Sequence, residues 1–476
     1  MKASVLSLQD IQAIHQATLQ ILDTTGIRIS LPAARSLLLD AGCREREGYV
    51  CIPPELVTRC LDSCPPRFSL RGRGGSSLEL GSGSLHWHNT GGAHTLYDPA
   101  ADRFLPAGIE EVRNATRLLD ALEGVDEVIP YFTPQDVPAP LVNLAMYRHA
   151  LPFTTKPLAG PGLQTPEEAA YVYRMAEVIG QPAEMLSISV SPISPLYFPD
   201  EIAASILEVA KLGVAFWPLP APSAGSTAPM TLAGALTLQN AEVLASIVLA
   251  QLVKPGLPIT YCGRLSLLEP RTGGSTWGVP ALGLAAAACV QIGHHYGLPV
   301  NVYGLASDSN QPDIQNGYER ALNAILPALA GADELSGIGD MGAGLFTTYA
   351  QMVCDNDIVL GIKNLMRGIR VDENSLAADL VGQVMQAAGQ GGGNFLAERH
   401  TVKTLRSGEL FYPPLADRRL FDEWNRDGRV GMFERARHRA EQLLSTHTVP
   451  PLEPQQEQEL GHILATAENQ LCDAPQ

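Results

Sequence analysis

The sequence predicts an α/β protein built on a (β/α)8 barrel, and three observations predict it. Short apolar runs rich in β-branched and aromatic residues recur between Val125 and Leu345; each ends in Pro, Gly or Ser and is followed by a helical stretch. No G-x-G-x-x-G follows the first run to open a helix, as a doubly wound nucleotide-binding sheet would show. Polar, Pro- and Gly-rich loops follow nearly every run, as if all the carboxyl ends shared one mouth. An open doubly wound sheet fits the same beat, but the recurring loops favour closure.

The elements justify themselves in order. Ser7 precedes a segment in which Ile11, Ile14, Leu19 and Ile21–Leu22 approximate one helical face, with Gly26 as a stop. Further helices are expected near Leu31–Gly42, at Pro53–Cys64 and at Gly108–Ala121. The Gly- and Ser-rich stretch at 71–107 reads as small hairpins, because His86, Trp87, Leu96 and Tyr97 give it material to pack. Together these make an N-terminal helix and hairpin extension, residues 1–122. Seven strand-like runs follow at 125–134, 155–162, 185–196, 213–225, 257–265, 298–308 and 332–344. Helices are expected between and after them at Thr165–Ile179, Pro199–Leu212, Met230–Leu252, Pro280–Tyr296, Asp313–Ala330 and Tyr349–Met366. An eighth strand is expected in Ala397–Leu410, which sets the barrel at 123–415. Residues 416–476 read as a helix and a polar tail.

Composition removes several function classes. Apolar residues make up 45% of the 476 positions, which excludes wholesale disorder. A net charge of −17 argues against nucleic-acid binding and against an anionic membrane surface. The most apolar stretch, Met230 to Val253, is broken by Gln239, Asn240 and Glu242 and reads as a core helix. The start carries Asp10 within a helical period, unlike a signal peptide, so a cytoplasmic location is expected. Cys60 and Cys64 lie four apart, with only Cys43 and Cys51 nearby to complete a zinc site; the other cysteines read as small core residues, and no metal is expected.

Catalytic residues of such a barrel sit just past the strands' carboxyl ends. Those positions hold Tyr131, Phe132, Trp217, Tyr261, Tyr303, Asp308 and Asp340, with Phe346 and Tyr349 shortly after. The set is aromatic although aromatics are 6% of the chain, and it lacks a conventional acid–base pair. An aromatic, acid-dotted cavity suits a cation without strong donors, a quaternary ammonium being the obvious case; the alternative is that these rings fill core layers. In a strand, His86 and His88 of His86-Trp87-His88-Asn89 face one side and Trp87 the other. They are half of a metal site, a donor pair facing a pocket, or packed histidines. His294 and His295 end a helix and complement its dipole. The glycine-rich stretch at 389–394 lacks the Lys-Ser/Thr of a P-loop and reads as a loop.

Long segments now carry a family likeness. STAPMTLAGALTLQNAEVLASIVLAQLVKPGLPITYCG, ALGLAAAACVQIGHHYGLPVNVYG and SDSNQPDIQNGYERALNAILPALAGADELSGIG resemble the trimethylamine methyltransferase superfamily. HNTGGAHTLYDP is similar to its N-terminal hairpin, and FLAERHTVKTLRSGELFYPPLADRR to its C-terminal stretch. The resemblance implies a TIM barrel that moves a methyl group from an amine to the cobalt of a separate corrinoid protein. Founding members carry pyrrolysine in a stretch corresponding roughly to Gly337–Gly344; this chain has only standard residues there, like the branch that includes glycine betaine demethylases. A quaternary amine leaves as a neutral amine and needs no proton, so a mouth without a general base is sufficient. On that reading Tyr131, Phe132, Trp217, Tyr261, Tyr303, Phe346 and Tyr349 are cage candidates. Asp308 is the counter-charge, with Tyr303 and Asp308 nearest the reaction. His86, His88, Asn89 and Gln311 are the donors available to a substrate carboxylate. The corrinoid motif D-x-H-x-x-G is absent, so the cobalamin is expected from a cognate corrinoid protein or from solution and not as a group bound by this chain. A homo-oligomer is expected, as for many large metabolic barrels. Two rivals compete: a lyase or aldolase with Lys156 as a Schiff-base nucleophile, and a non-catalytic betaine-binding protein.

Overall fold

The structure, a computed structural model, describes residues 3–160, 162–389 and 392–472. Eight strands point the same way: β1 (His86–Asn89), β2 (127–128), β3 (Leu158–Ala159), β4 (Leu186–Val190), β5 (Ala215–Pro218), β6 (Tyr261–Gly263), β7 (Val300–Tyr303) and β8 (Glu334–Ile338). Parallel ladders join β3, β4 and β5, and another series joins β6, β7, β8 and β1. Single parallel bridges, His88 to Glu127, Val128 to Leu158 and Phe216 to Ile259, connect the two arcs. The pairing therefore runs in a full circuit, and each of these eight strands has a neighbour on both sides.

A helix follows each strand: α1 (Ile109–Ala121), α2 (Val142–Ala150), α3 (Pro166–Glu177), α4 (Asp200–Leu212), α5 (Leu232–Val253), α6 (Pro280–His295), α7 (Ile314–Ala330) and α8 (Tyr349–Met366). Local chemistry sets their ends. Thr165 and Glu168 close a capping box on α3, with Pro166 at its first position. Asp313 caps α7, and Gly331 ends it in the left-handed conformation. α5 is long and apolar enough to cross a bilayer, yet it packs against the Leu8–Gln20 and Pro54–Ser63 helices and α4, and most of it is buried. Its polar residues are matched inside the protein: Asn240 bonds Thr18, Tyr261 and Tyr296, while Glu242 accepts from Ser194 and from the Leu196 N–H.

All seven runs supply strands. Two strand assignments are corrected. The first strand is His86–Asn89, inside the stretch assigned to the extension, so the ring begins well before 123; Trp87 is its lone large apolar residue, and no apolar run marks it. The segment expected to hold the eighth strand forms the helix Arg399–Arg406, which buries no residue and carries an amphipathic helical pattern instead of alternation. Gln390 and Gly391 of the glycine-rich stretch, Pro161 of the second run, and the last four residues of the tail lie outside the described residues.

The amino end of the barrel is filled by the hairpin Phe68–Arg71/Ser77–Leu80, whose Leu70, Leu78 and Leu80 cluster with Ala215 of β5. On the carboxyl side a second hairpin, Thr95–Asp98/Arg103–Pro106, pairs with Phe346–Thr347. Helix Met432–Thr446 packs on α8 and α1, and helix Pro454–Leu471 on α2 and α3. Among the described residues between 367 and 431 little is buried: Ile369, Leu396 and Leu420 are 90%, 84% and 80% exposed. No disulfide forms, and no group of three or more metal-ligating side chains occurs among the described residues.

Candidate active site

A cavity of about 220 Å³ lies at the carboxyl ends of the strands. His88 and Asn89 of β1, Trp217 of β5, Arg264 just past β6 and Tyr303 of β7 form its chemistry-bearing wall, and Gly160 and Ser336 are among the small residues that leave it room. Alternation along β1 buries Trp87 outside the ring and turns His88 inward.

His88 is held on both nitrogens. Nδ1–H donates to the Asn89 carbonyl at 2.8 Å, and Nε2 accepts from the Asn301 amide at 2.9 Å. Burial, then the nearby Arg264 charge, pushes its pKa down to about 4, so the ring is neutral at pH 7. Asn301 spends its second N–H on Glu334 at 3.2 Å, and its carbonyl oxygen accepts from Arg264 Nη2 at 2.5 Å. Arg264 Nη1 donates to the carbonyls of Gly263 and Asn301 at 3.0 and 3.1 Å. The guanidinium lies 4.6 Å from the Tyr303 ring, and Trp217 packs 5.3 Å from His88. Burial raises the Tyr303 hydroxyl above its ordinary range.

Asn89 closes a short piece of ladder. Its carbonyl oxygen accepts from the Ile129 N–H at 2.9 Å and its amide donates to the Ile129 carbonyl at 2.7 Å, imitating a strand partner where β2 has only two residues. Deeper in the ring, Glu127 of β2 faces Glu334 of β8. Among the described residues neither oxygen of Glu127 has a partner within hydrogen-bond geometry, and both groups are buried. Burial first, then the other carboxyl, raises Glu127 well above the usual range, while burial lifts Glu334 to about 7. The pair holds a proton at neutral pH because two buried carboxylates cannot both ionise.

Of the residues singled out in the sequence, His88, Asn89, Trp217 and Tyr303 converge on this cavity. Asn89, however, has its amide engaged with the backbone. The others require correction. His86 sits at the amino end of the ring, its backbone N–H on the Asp333 carbonyl, with Asp126 and Lys363 as its charged neighbours. Tyr261 turns outward beneath the helices and donates to Asn240 of α5 at 3.1 Å. Tyr131 and Phe132 pack on each other, 5.1 Å between centroids, fully buried and away from the cavity. Phe346 packs edge-on against Phe104 of the carboxyl-side hairpin, and Tyr349 lines a different cavity between that hairpin and helix Met432–Thr446. Asp308 accepts from the N–H groups of Trp277 and Gly278 at 2.8 and 2.9 Å; it fixes the loop whose Trp277 leans on Tyr303 and does not line the cavity. Gln311 is exposed on the turn before α7. For Tyr261 the reason is parity: a strand end offers one residue to the mouth and the next to the helices, and so short a strand carries too little alternation to say which. Arg264 does not stand out among strand ends marked by aromatic rings. Its position, the last polar residue of the fifth run, was the available signal.

The trimethylamine methyltransferase (MTTB) family model matches residues 1–472. The chain belongs to that family. It is an enzyme of methyl transfer, and the non-catalytic reading falls away. Trimethylamine methyltransferase MttB2 of Methanosarcina mazei is 31% identical, over 94% of this chain and 92% of its own length. The glycine betaine methyltransferase of Desulfitobacterium hafniense is 28% identical, over 98% of this chain and 97% of its own. The crystal structure of the Methanosarcina barkeri monomethylamine methyltransferase MtmB shares the fold, with a TM-score of 0.50 at 12% identity over 98% of this chain and 92% of that one.

In this methyltransferase the stretch Gly337–Gly344 ends β8 through a register shift at which Gly337 takes φ +112°, a conformation a side chain rarely adopts. Arg320, fully buried, anchors it by donating to Leu305 O, to Asp355 and to the Asp340 carbonyl. Lys156 is nowhere near the cavity. Its ammonium donates to the Leu119 and Leu122 carbonyls at 2.9 and 2.8 Å, capping the end of α1, and burial lowers it to about 8.

Proposed function

We propose that the protein moves a methyl group from a quaternary amine, glycine betaine or a similar methylated amine, to Co(I) of a corrinoid presented by a partner protein or free in solution. The observation that carries this reading is the make-up of the cavity wall: Trp217 and Tyr303 offer aromatic surface, and the His88 imidazole packed against Trp217 is locked neutral by bonds at both nitrogens. Such a wall neither supplies nor accepts a proton at neutral pH. A quaternary amine asks for none, because the C–N bond breaks with its electron pair on a neutral leaving amine while the methyl cation equivalent goes to two-electron-donating Co(I). The residues orient the ammonium by cation–π contact, point one methyl toward the mouth, and keep water from the nucleophile. The hairpin that fills the amino end supports a corrinoid approaching from the opposite side. The exposed apolar side chains between 367 and 431 support a homo-oligomeric assembly.

The test is optical. Purified protein is mixed anaerobically with cob(I)alamin, quaternary amines are added singly, and loss of the Co(I) band is followed. Conversion to methyl-Co(III) with one amine is the expected result. Silence across the panel, with cobalamin and with candidate corrinoid proteins alike, would remove the reading.

A further inference from the structure

Arg264 is a buried cation whose surroundings leave it short of an anion. It is 6% exposed, lines the cavity, and has no carboxylate within ion-pair distance among the described residues. Glu334 reaches it only through Asn301. Three of its five N–H groups are satisfied, all by backbone carbonyls or by the Asn301 amide. The end of the guanidinium carrying Nη1 and Nη2 is thus spent on Asn301 and Gly263. The Nε–H and the remaining Nη2–H have no acceptor among the described residues, and that edge is the one that takes a carboxylate bidentately. An unpaired charge kept out of water is costly. The Tyr303 ring beneath the guanidinium and the Asn301 bonds hold its plane in place, so the site is built and not a stray side chain.

Resting on the quaternary-amine reading above, we propose that Arg264 is an anion subsite and that the substrate is a zwitterion, a quaternary ammonium joined by a short linker to a carboxylate. The carboxylate takes the free edge of Arg264, and the ammonium is thereby placed toward Trp217, across the cavity wall from the guanidinium. A methylated amine without an acid group leaves Arg264 unpaired and meets its repulsion as well, so the cavity discriminates by charge.

Calorimetric titration without any corrinoid tests this with three probes of matched shape: glycine betaine, choline, and 3,3-dimethylbutanoate, in which carbon replaces the quaternary nitrogen. Glycine betaine is expected to bind on the order of 10- to 100-fold more tightly than choline, the range of a hydrogen bond to a charged partner. Arg264→Gln is expected to abolish that preference by weakening glycine betaine while leaving choline unchanged or tighter. Arg264→Lys keeps the charge, guards against a folding defect, and is expected to retain part of the preference; thermal melts of both variants accompany the titrations. Choline binding as tightly as glycine betaine to the unaltered protein, no heat from any probe, or a preference that survives Arg264→Gln in folded protein would each overturn the proposal. Dimethylbutanoate binding as tightly as glycine betaine would uphold the anion subsite and bring down the quaternary-amine reading, which separates the two failures.

Discussion

Replacing Trp217 separates its π-face from its bulk. Trp217→Leu removes the aromatic surface, and Trp217→Phe keeps a weaker one. Since a desolvated cation–π contact contributes about 0.5–2 kcal/mol, the leucine variant is expected to raise the amine KM roughly 2- to 30-fold and the phenylalanine variant less, with kcat affected less than KM in both. Steady-state kinetics with saturating corrinoid checks this; an unchanged KM in folded Trp217→Leu protein would take the residue out of the cage. At this scale the sequence was informative about kind and poor about direction. Trp217 and Tyr303 were legible because they close apolar runs, while Tyr261 was misplaced because one residue of register separates the mouth from the helix side, where its hydroxyl meets Asn240. Asn89 was legible as a polar donor, but nothing in its identity announced that its amide would serve β2 as a ladder partner.

Elements were legible in proportion to their apolar content. The seven later strands and six helices stand out because core-facing side chains repeat at a readable period, whereas β1 fills the inside of the ring with His88 and Asn89 and so hides among loops. Lys156 belongs to this scale, as the cap of a helix. Lys156→Met is expected to destabilise the fold by about 1–3 kcal/mol, because two carbonyls at the end of α1 lose their donor, and to leave amine binding unchanged. Denaturant unfolding and titration calorimetry read the two effects apart. Borohydride with carbonyl compounds should trap no adduct at this residue, since its ammonium lies at the amino side of β3, away from the cavity.

For the molecule as a whole, the buried carboxyl pair leaves a pH signature. Glu127 and Glu334 both have folded pKa values above the unfolded value of 4.5, burial being the first cause in each. The folded state therefore holds more protons than the unfolded one as pH rises from about 4.5 through about 7, and stability falls across that window. Glu127→Gln removes one of the competing carboxyls. Its apparent Tm is expected to exceed that of the unaltered protein by about 1–3 °C at pH 8 and to match or fall below it near pH 5; a constant difference at all pH values would place the proton elsewhere. None of this pairing was legible in the sequence, where the two glutamates are 207 positions apart. They meet only because the ring closes.

Closure at one end carries a consequence for the order of events. With Leu70, Leu78 and Leu80 stoppering the amino side, access to the cavity is left to the carboxyl ends of the strands, and on the function proposed above an acceptor as bulky as a corrinoid would stand in that mouth while the methyl moves. On that reading the amine is expected to be aboard before the acceptor docks, and the demethylated amine to wait until the acceptor leaves. Turnover in such a chamber would be a compulsory queue, in which the smaller reactant is first in and last out.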